Sequence, residues 1–362
     1  MQSLQQLFQA TTQGQPTALA QKYSALMASQ PKLRRRDAAQ ALGVSEAQLL
    51  EANCDVQAQR LQARFDEIIY DLPSLGYIMT LTRNESAVHE RKGTYSNISI
   101  KGPMGLVITD DRKIDLRIVI NRWHSGFAVC ESLERGERYS LHFFDAQGVA
   151  IQKIYLQQES DLAAFAVLIE KYRELSPQPL IAELAQEEPA YVSDAQVDRE
   201  QLVNEWREMR NVHQFFGLLK KHKVAREQAF RLAGSPLAQP FDPALLQDLL
   251  ERIAKTDLSI MCFVGNRGNI QIHTGAIDNV KVVGDWLNIL DPEFNLHLRQ
   301  DRVASAWLVR KPSADGDITS IELYDAEGET IAQFFGQRVE GNPENKQWRA
   351  FAESLLEEAA VA

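Results

Sequence analysis

The chain has 362 residues, which is enough for about two domains of ordinary size. Hydrophobic residues make up 44% of the chain and charged residues 24%, and these proportions exclude a disordered or a collagen-like protein. The net charge of −10 argues against a broad surface for nucleic acid or an acidic membrane, so an anionic partner must be bound by a local group of basic residues.

Cysteine usage and the N-terminal sequence indicate a reducing, aqueous compartment. Cys54, Cys130 and Cys262 are far apart and show no CxxC spacing, so neither a disulfide framework nor a zinc site is predicted. The first residues lack the basic start and apolar run of a secretory signal, and no stretch approaches roughly 18 apolar residues. We therefore expect a cytoplasmic protein with no membrane insertion.

The first half of the chain, residues 1–175, predicts helices, then strands, then a closing helix. The stretch GVSEAQLLEA from Gly43 is typical of the second member of a helix pair. Alternation in LRIVI and YSLHFF predicts strands, and DAQG from Asp145 predicts a hairpin turn with Gly148 at the position that needs positive φ. The apolar spacing that follows Asp161 predicts the closing helix. The sheet should therefore be antiparallel.

The second half repeats the first. Residues 176–196 are rich in proline and acidic residues, which is typical of a surface linker, and residues 197–362 follow it. GERYSLHFFDAQGVAIQKIY from Gly136 matches GDITSIELYDAEGETIAQFF from Gly316 at a shift of 180 residues. We predict an α+β fold of two tandem repeats, 1–175 and 197–362, each with a large antiparallel β-sheet flanked by helices.

The segment WREMRNVHQFFGLLKKH, residues 206–222, predicts a helix of the second half with an unusual face. That face is apolar apart from one imidazole, and its members are Trp206, Met209, His213 and Phe216. Gly217 adds no side chain to it. Positive charge is supplied nearby by Arg207, Arg210, Lys220 and Lys221. Such a face suits a flat, apolar, anionic ligand.

His213 has two interpretations. A histidine on an apolar face is commonly a core residue whose ring bonds to a backbone carbonyl. The equivalent position, 180 residues earlier, is Leu33, so packing alone does not require an imidazole. A titratable ring in place of leucine costs desolvation energy unless it gains a partner, which favours a ligand role.

Several long, colinear segments carry a resemblance that covers nearly the whole chain. They are RNESAVHERKGTYSN from Arg83, KIDLRIVINRW from Lys113, WREMRNVHQFFGLLKKH from Trp206, FVGNRGNIQIHTG from Phe263, WLVRKPSADGDITSIELY from Trp307 and AQFFGQRVEGNPENKQWR from Ala332. Together they resemble the HemS and ChuS family of cytoplasmic haem-trafficking and hemin-degrading proteins. The resemblance implies a haem b group, iron protoporphyrin IX, held between the sheet and the helices of the second half.

The resemblance also implies individual roles. His213 matches the axial ligand of the haem iron, and Arg117 matches a distal-side arginine, which we expect to be catalytic. Lys311 and Gln333 match residues that line the haem edge. His89 matches a histidine proposed as a second, weaker iron ligand in the first half. Without the resemblance, Arg117 and Lys311 would both be predicted to be solvated strand residues.

Haem also needs apolar walls and cations for its propionates. We expect the walls to come from Trp206, Phe215, Phe216 and Phe335. We expect the cations to come from Lys311, Arg338, Arg226 and Arg210. Some members of the family have tyrosine where this chain has Phe335, so a phenolic hydrogen bond is missing on that side.

Three functions are compatible with these residues. Haem binding would serve transfer, with a haem-delivering transporter and a downstream haem oxygenase as partners, or oxidative ring opening, which needs an electron donor. The alternative is a DNA-binding regulator, because RRRDAAQALGVSEAQLLEA looks like a helix-turn-helix. KHKVAREQAFRLAG repeats that layout and the net charge is negative, which argues against a nucleic-acid partner. The third function is an interaction scaffold without a ligand.

Overall fold

Two large antiparallel β-sheets flanked by helices form the α+β fold that the sequence predicts. This computed structural model describes residues 4–8, 17–54, 57–134, 136–182, 190–339 and 341–359. In those residues the α-helices are α1 (Leu4–Phe8), α2 (Ala18–Ser29), α3 (Arg35–Leu42), α4 (Glu46–Glu51), α5 (Phe65–Asp71), α6 (Leu162–Tyr172), α7 (Arg199–Arg207), α8 (Gln214–His222), α9 (Arg226–Ala233), α10 (Leu245–Ile253) and α11 (Lys346–Ala359).

The strands are named in chain order. They are β1 (Ala58–Leu61), β2 (Gly76–Arg83), β3 (Ala87–Thr94), β4 (Ile98–Lys101), β5 (Met104–Ile108), β6 (Asp115–Val119), β7 (Ser125–Leu133), β8 (Gly136–Phe144), β9 (Ala150–Ser160), β10 (Ala238–Phe241), β11 (Ile260–Gly265), β12 (Asn269–Gly275), β13 (Val280–Val283), β14 (Trp286–Leu290), β15 (Phe294–Arg299), β16 (Ser305–Lys311), β17 (Ile318–Tyr324) and β18 (Thr330–Gly336). One sheet has the order β1-β7-β8-β9-β2-β3-β15-β14-β13, and the other has the order β10-β16-β17-β18-β11-β12-β6-β5-β4. Each sheet therefore takes six strands from one half of the sequence and three from the other, an arrangement that the repeat did not predict.

The chain divides into two compact units. Unit 1 comprises Met1–Arg83, Glu90–Gln186 and Asn266–Gln271, and unit 2 comprises Asn84–His89, Glu187–Gly265 and Ile272–Ala362. The predicted boundaries at 1–175 and 197–362 describe the duplicated sequence and stay a prediction. In the predicted linker, residues 183–189 lie outside the described residues, and Leu180 is buried, so this stretch is not entirely on the surface.

Both halves contain the same pair of short helices. In the first half, α3 ends at Gly43, whose φ is +68°, and Ser45 and Gln48 form a reciprocal cap on α4. In the second half, α8 ends at Lys223, whose φ is +52°, and Gln228 accepts a hydrogen bond of 3.0 Å from a backbone N–H at the start of α9. The paired positions are 180 residues apart, which confirms the duplicated helix pair.

The predicted hairpin turns occur in both halves. Gly148 and Gly328 have φ values of +75° and +81°, a region that glycine adopts without a steric penalty. The side chain of Asp145 accepts hydrogen bonds of 2.9 and 3.0 Å from two backbone N–H groups of its turn. Asp325 makes the equivalent bonds in the second turn. These turns join β8 to β9 and β17 to β18.

In unit 2, two apolar clusters lie on opposite faces of the same strands. Leu308, Ile321 and Phe334 pack with helices α10 and α11. On the other face, Trp307 and Tyr324 pack with helices α7 to α9. Both faces of β16 and β17 are therefore covered, and polar residues of these strands are removed from water.

Unit 1 has an apolar core of its own, which includes Ile68, Phe143 and Phe165. No helix in the described part of the chain has the length and apolar character that crossing a membrane requires.

Candidate functional site

Segment 206–222 is not one helix, so the predicted single apolar face around His213 is wrong. Helix α7 ends and helix α8 begins within this segment, because polar side chains in the intervening turn accept backbone N–H groups. Trp206 and Met209 are buried in the core, whereas Phe216 is 75% exposed. Trp206 therefore packs inside unit 2 and does not form an open wall beside the imidazole.

His213 stands at the N-terminal end of α8 and is exposed. Residues three and four positions apart lie on one side of a helix, so Phe216 and Gly217 are its neighbours. Both are exposed, and a Cβ added at Gly217 would meet no atom within 4 Å apart from those of the adjoining residues and the backbone of α8. Lys220, also exposed, continues the same side. We call His213, Phe216, Gly217 and Lys220 the α8 face; it combines an imidazole, an aromatic ring, open space and a cation.

A buried carboxylate brings three of the predicted site residues together. Glu322 has no exposed surface. Arg226 donates two hydrogen bonds to its oxygens, at 2.7 and 2.9 Å, and Lys311 Nζ donates to Oε1. Gln333 Nε2 and the Tyr324 hydroxyl each donate to Oε2 at 2.8 Å. We call these five residues the Glu322 cluster; it has two cations and one anion.

Burial and mutual attraction shift the pKa values in the Glu322 cluster. Burial alone would raise the pKa of Glu322, but attraction to Arg226 and Lys311 and their hydrogen bonds outweigh it, so this pKa lies well below its ordinary range. Burial lowers the pKa of Lys311 to about 8, although Glu322 acts in the opposite direction. At neutral pH the cluster therefore carries a net positive charge.

Lys311 is not a solvated residue, because only 3% of its surface is exposed. Its ammonium lies 5.1 Å from the ring centre of Phe215, 5.9 Å from that of Phe230 and 6.0 Å from that of Phe335. Phe215 is itself buried, so it belongs to the core and not to an open wall. The haem-edge role of Lys311 stays a prediction, and its direct partner in the structure is Glu322.

Phe335 and Gln333 lie on a partly open area of the same sheet. Phe335 pairs with Met261 and Gln333 pairs with Phe263 on neighbouring β11. Side chains paired in this way point to one side of the sheet, and the rings of Phe335 and Phe263 are 5.0 Å apart. All four residues are half-buried. This area suits an apolar ligand, although Phe335 lacks a phenolic hydroxyl.

The remaining predicted cations of unit 2 lie outside the Glu322 cluster. Arg210 is exposed in the turn before α8, and Arg338 is half-buried just after β18. Arg226 differs from both because its guanidinium is held by Glu322, with 27% of its side chain exposed. Exposure therefore makes Arg210 and Arg338 the better placed of the three for the carboxylates of a ligand.

Arg117 belongs to unit 1 and lies on the less buried face of β6, as the alternation predicts. Its guanidinium forms an ion pair with Asp115, which is fully buried and also pairs with Arg112 at 3.2 Å. The residues opposite Arg117 on the two neighbouring strands, Leu106 and Ile270, are each 40% exposed. The guanidinium of Arg117 thus has a fixed orientation and lies between two partly exposed apolar side chains on the neighbouring strands.

His89 is fully buried in unit 2. Its ring centre lies 5.0 Å from that of Phe294, which stacks on His273 at 3.7 Å. An axial ligand needs an open side for the macrocycle, and the buried ring of His89 has no exposed side. Within the described residues, no group of three or more His, Cys, Asp and Glu side chains could hold a metal ion.

The first half does not reproduce the Glu322 cluster. The residues 180 positions before Arg226, Lys311, Glu322 and Gln333 are Glu46, Glu131, His142 and Lys153. Lys153 donates to Glu46 at 2.5 Å, and Arg35 pairs with Glu131 at 2.7 Å. Burial lowers the pKa of His142 well below its ordinary value, so the ring is neutral. Because acids and bases are interchanged, the two halves cannot present the same charges to a ligand.

Sequence reasoning missed Glu322. Alternation in SIELY places Ser320, Glu322 and Tyr324 on one face of β17, and such a polar face is commonly solvated. A signal was present in the sequence: the segment 206–233 is rich in aromatic residues. This composition indicates that its helices pack on the polar face of β17 and cover it.

The family comparison agrees with the duplication. A protein-family model described as "Haemin-degrading HemS.ChuX domain" matches residues 43–172 and again residues 223–355. These two ranges correspond to the two halves of the repeat and together cover most of the chain. The chain therefore belongs to this family.

Individual relatives extend over nearly the whole chain. It is 39% identical over 350 residues to the hemin transport protein HmuS of Yersinia pestis, a match that covers 95% of this chain and 99% of the relative. Holo-PhuS, a heme-binding protein from Pseudomonas aeruginosa, is 43% identical with a TM-score of 0.91, covering 94% of this chain and 99% of that one. ChuS, an E. coli heme oxygenase, is 38% identical with a TM-score of 0.85, covering 94% and 100%. The predicted family and fold are confirmed.

Proposed function

We propose that this protein binds haem through the imidazole of His213. The observation that carries the proposal is the α8 face, where an exposed imidazole stands beside exposed Phe216 and the open space at Gly217. A neutral imidazole is a common axial ligand of haem iron, and a flat macrocycle packs on apolar side chains. The names of the relatives support the same ligand, because they describe hemin transport, heme binding and a heme oxygenase.

The charges of unit 2 support haem b, iron protoporphyrin IX, as the form bound. Its two propionates require cations, and Arg210, Lys220 and Arg338 are exposed or half-buried. The net positive charge of the Glu322 cluster adds a favourable potential. A hemin whose propionates are esterified should therefore bind more weakly than hemin itself.

Oxidative degradation is the proposed activity if the protein acts as an enzyme. Bound haem supplies an iron centre that takes up electrons and reacts with oxygen, so an electron donor is required. Arg117 is the proposed catalytic residue, because a guanidinium is a permanent hydrogen-bond donor that stabilises developing negative charge. Asp115 keeps that guanidinium in one orientation. Tetrapyrrole products and carbon monoxide, measured with a reductant and catalase present, distinguish degradation from transfer alone.

The proposal places the protein in the cytoplasm, between import and use of haem. A haem-delivering transporter is the proposed donor, and a separate haem oxygenase is the proposed acceptor when the chain acts only in transfer. The DNA-binding alternative gains no support from the relatives. Arg35, one of the arginines that suggested it, is bound internally to Glu131 with 10% of its side chain exposed.

Titration with hemin tests the proposal. The wild-type protein should give a sharp Soret band that saturates near one equivalent, and His213→Ala should shift the band and weaken binding. His124→Ala is the matched control, because His124 is an exposed histidine of unit 1 outside the proposed site. Identical spectra for wild type and His213→Ala would contradict the proposal.

A further inference from the structure

The turn between α7 and α8 carries His213 at its C-terminal end. In the part of the chain that the structure describes, the hydrogen bond of His213 is made by its backbone N–H and none by its ring. In most proteins, the second ring nitrogen of a metal-binding histidine is hydrogen-bonded, which fixes the orientation of the ring. Here the backbone of the turn sets the direction of the Cα–Cβ bond that carries the ring and limits the rotamers open to it.

Two carboxamide side chains fix the backbone of the turn. The Gln214 side-chain oxygen accepts hydrogen bonds from the backbone N–H groups of Arg210, at 2.7 Å, and Asn211, at 2.9 Å. The Asn211 side-chain oxygen accepts a hydrogen bond of 2.8 Å from the backbone N–H of His213. Backbone N–H groups at a helix start have no partner inside the helix, so these side chains satisfy groups that would otherwise bind water.

The turn is also attached to the sheet. Ala314 donates its backbone N–H to the carbonyl of Arg210 at 2.9 Å. Trp206, at the end of α7, donates its indole N–H to the carbonyl of Arg310 at 3.0 Å. Arg310 lies near the end of β16 and Ala314 just beyond it, so the end of α7 and the middle of the turn are held by one strand and the loop that follows it.

The first half has none of the three polar side chains that build this turn. The residues 180 positions before Asn211, His213 and Gln214 are Pro31, Leu33 and Arg34. Pro31 and Arg34 offer no side-chain acceptor, and Leu33 packs in a small apolar cluster. Because the carboxamides and the imidazole occur together in one half only, the turn is more than a general cap of the duplicated helix.

We infer that Asn211 and Gln214 are positioning residues that orient the His213 imidazole toward haem iron; this inference rests on the proposed function. Loss of either carboxamide oxygen releases backbone N–H groups of the turn. The imidazole then meets the iron in several orientations and holds it less tightly.

The test uses full-length Asn211→Ala and Gln214→Ala proteins loaded with hemin. Electron paramagnetic resonance reports the uniformity of the ferric site, and transfer to apomyoglobin reports the rate of haem release. Asn211→Asp and Gln214→Glu retain an acceptor oxygen and serve as rescue variants. Gln48→Ala is the matched control, because Gln48 makes the same kind of side-chain cap, at 2.9 Å, on a helix of the first half.

We expect both alanine variants to broaden the ferric signals and to release haem about tenfold faster, the low end of the effect of losing a group that orients a metal ligand. The rescue variants and Gln48→Ala should resemble the wild type. Alanine variants with a lower Tm but wild-type signals and release rates would overturn the inference while the proposed function stands. A wild-type signal in His213→Ala would overturn both.

Discussion

The carboxylate of Glu322 accepts two hydrogen bonds from the guanidinium of Arg226, at 2.7 and 2.9 Å, and is completely buried. Lys311 donates to the same carboxylate. Two cations of unit 2 thus share one anion, which leaves a net positive charge, and both depend on that anion because an unpaired buried charge is costly.

Glu322→Gln should therefore strongly destabilise the protein. Removal of the anion leaves Arg226 and Lys311 without compensation, and breaking a buried ion pair in this way costs about 3–5 kcal/mol of unfolding free energy. Urea denaturation measures this loss. Glu67→Gln is the control, because Glu67 pairs with Arg64 at an exposed position and its loss should leave the midpoint almost unchanged. Equal shifts in the two variants would contradict the interpretation.

Because of Lys311, the free energy of unfolding should depend on pH in the alkaline range. Its pKa is lowered from 10.5 to about 8 in the folded state, chiefly by burial. Between these values the unfolded chain binds more protons, so the free energy of unfolding should rise with pH, by at most about 1.4 kcal/mol per pH unit. Comparison of wild type with Lys311→Met isolates the contribution. The difference in free energy of unfolding between the wild type and Lys311→Met should grow in favour of the wild type above pH 8. A difference that stays constant with pH would show that the pKa of Lys311 is not lowered.

Gly217→Ala should have opposite effects on the free protein and on haem binding. Alanine favours a helix over glycine by about 1 kcal/mol, and apart from the adjoining residues and the backbone of α8 no atom lies within 4 Å of the new Cβ, so the haem-free protein should gain stability. The methyl group occupies the α8 face beside His213, so hemin affinity should fall. Asn204→Ala, at an exposed position of α7, raises helix propensity away from that face and should leave affinity unchanged. Unaltered affinity in Gly217→Ala would place the ligand elsewhere.

Arg117→Ala should affect turnover more than binding. Removal of a donor that acts in the transition state typically slows a reaction on the order of a hundredfold. Reductant-driven loss of the Soret band should slow accordingly while hemin still binds. Arg112→Asn is the control, because Arg112 shares the Asp115 carboxylate but is 50% exposed. Asparagine is chosen because Arg112 has a φ of +56°, which asparagine tolerates. Equal loss of binding and turnover in Arg117→Ala would make Arg117 a binding residue.

Much of the fold could be predicted from the repeat. Matching alternation and turn residues in the two halves gave the hairpins at Gly148 and Gly328, which the structure confirms. The helix pair followed from the match of Gly43 with Lys223, which adopt the same left-handed conformation. The contribution of three strands from each half to the sheet of the other could not be predicted, because the alternation within a strand does not determine its neighbour.

Less of the candidate site could be predicted from the sequence. Helical spacing placed Trp206 and His213 on one face, but the turn between them puts the first in the core and the second in solvent. The signal for the break was Asn211 followed three residues later by Gln214, a pattern typical of a helix start. The buried ion pair of Lys311 could not be predicted, because its partner, Glu322, lies on another strand.

Resonance Raman spectroscopy of the ferrous hemin complex tests the central claim most directly, because the iron–imidazole stretching band reports histidine ligation itself. The band should be present in the wild type and in the exposed-histidine control His124→Ala, and absent from His213→Ala. An iron–imidazole band that persists unchanged in His213→Ala would show that another residue holds the iron, and would contradict the assignment of His213 as the axial ligand.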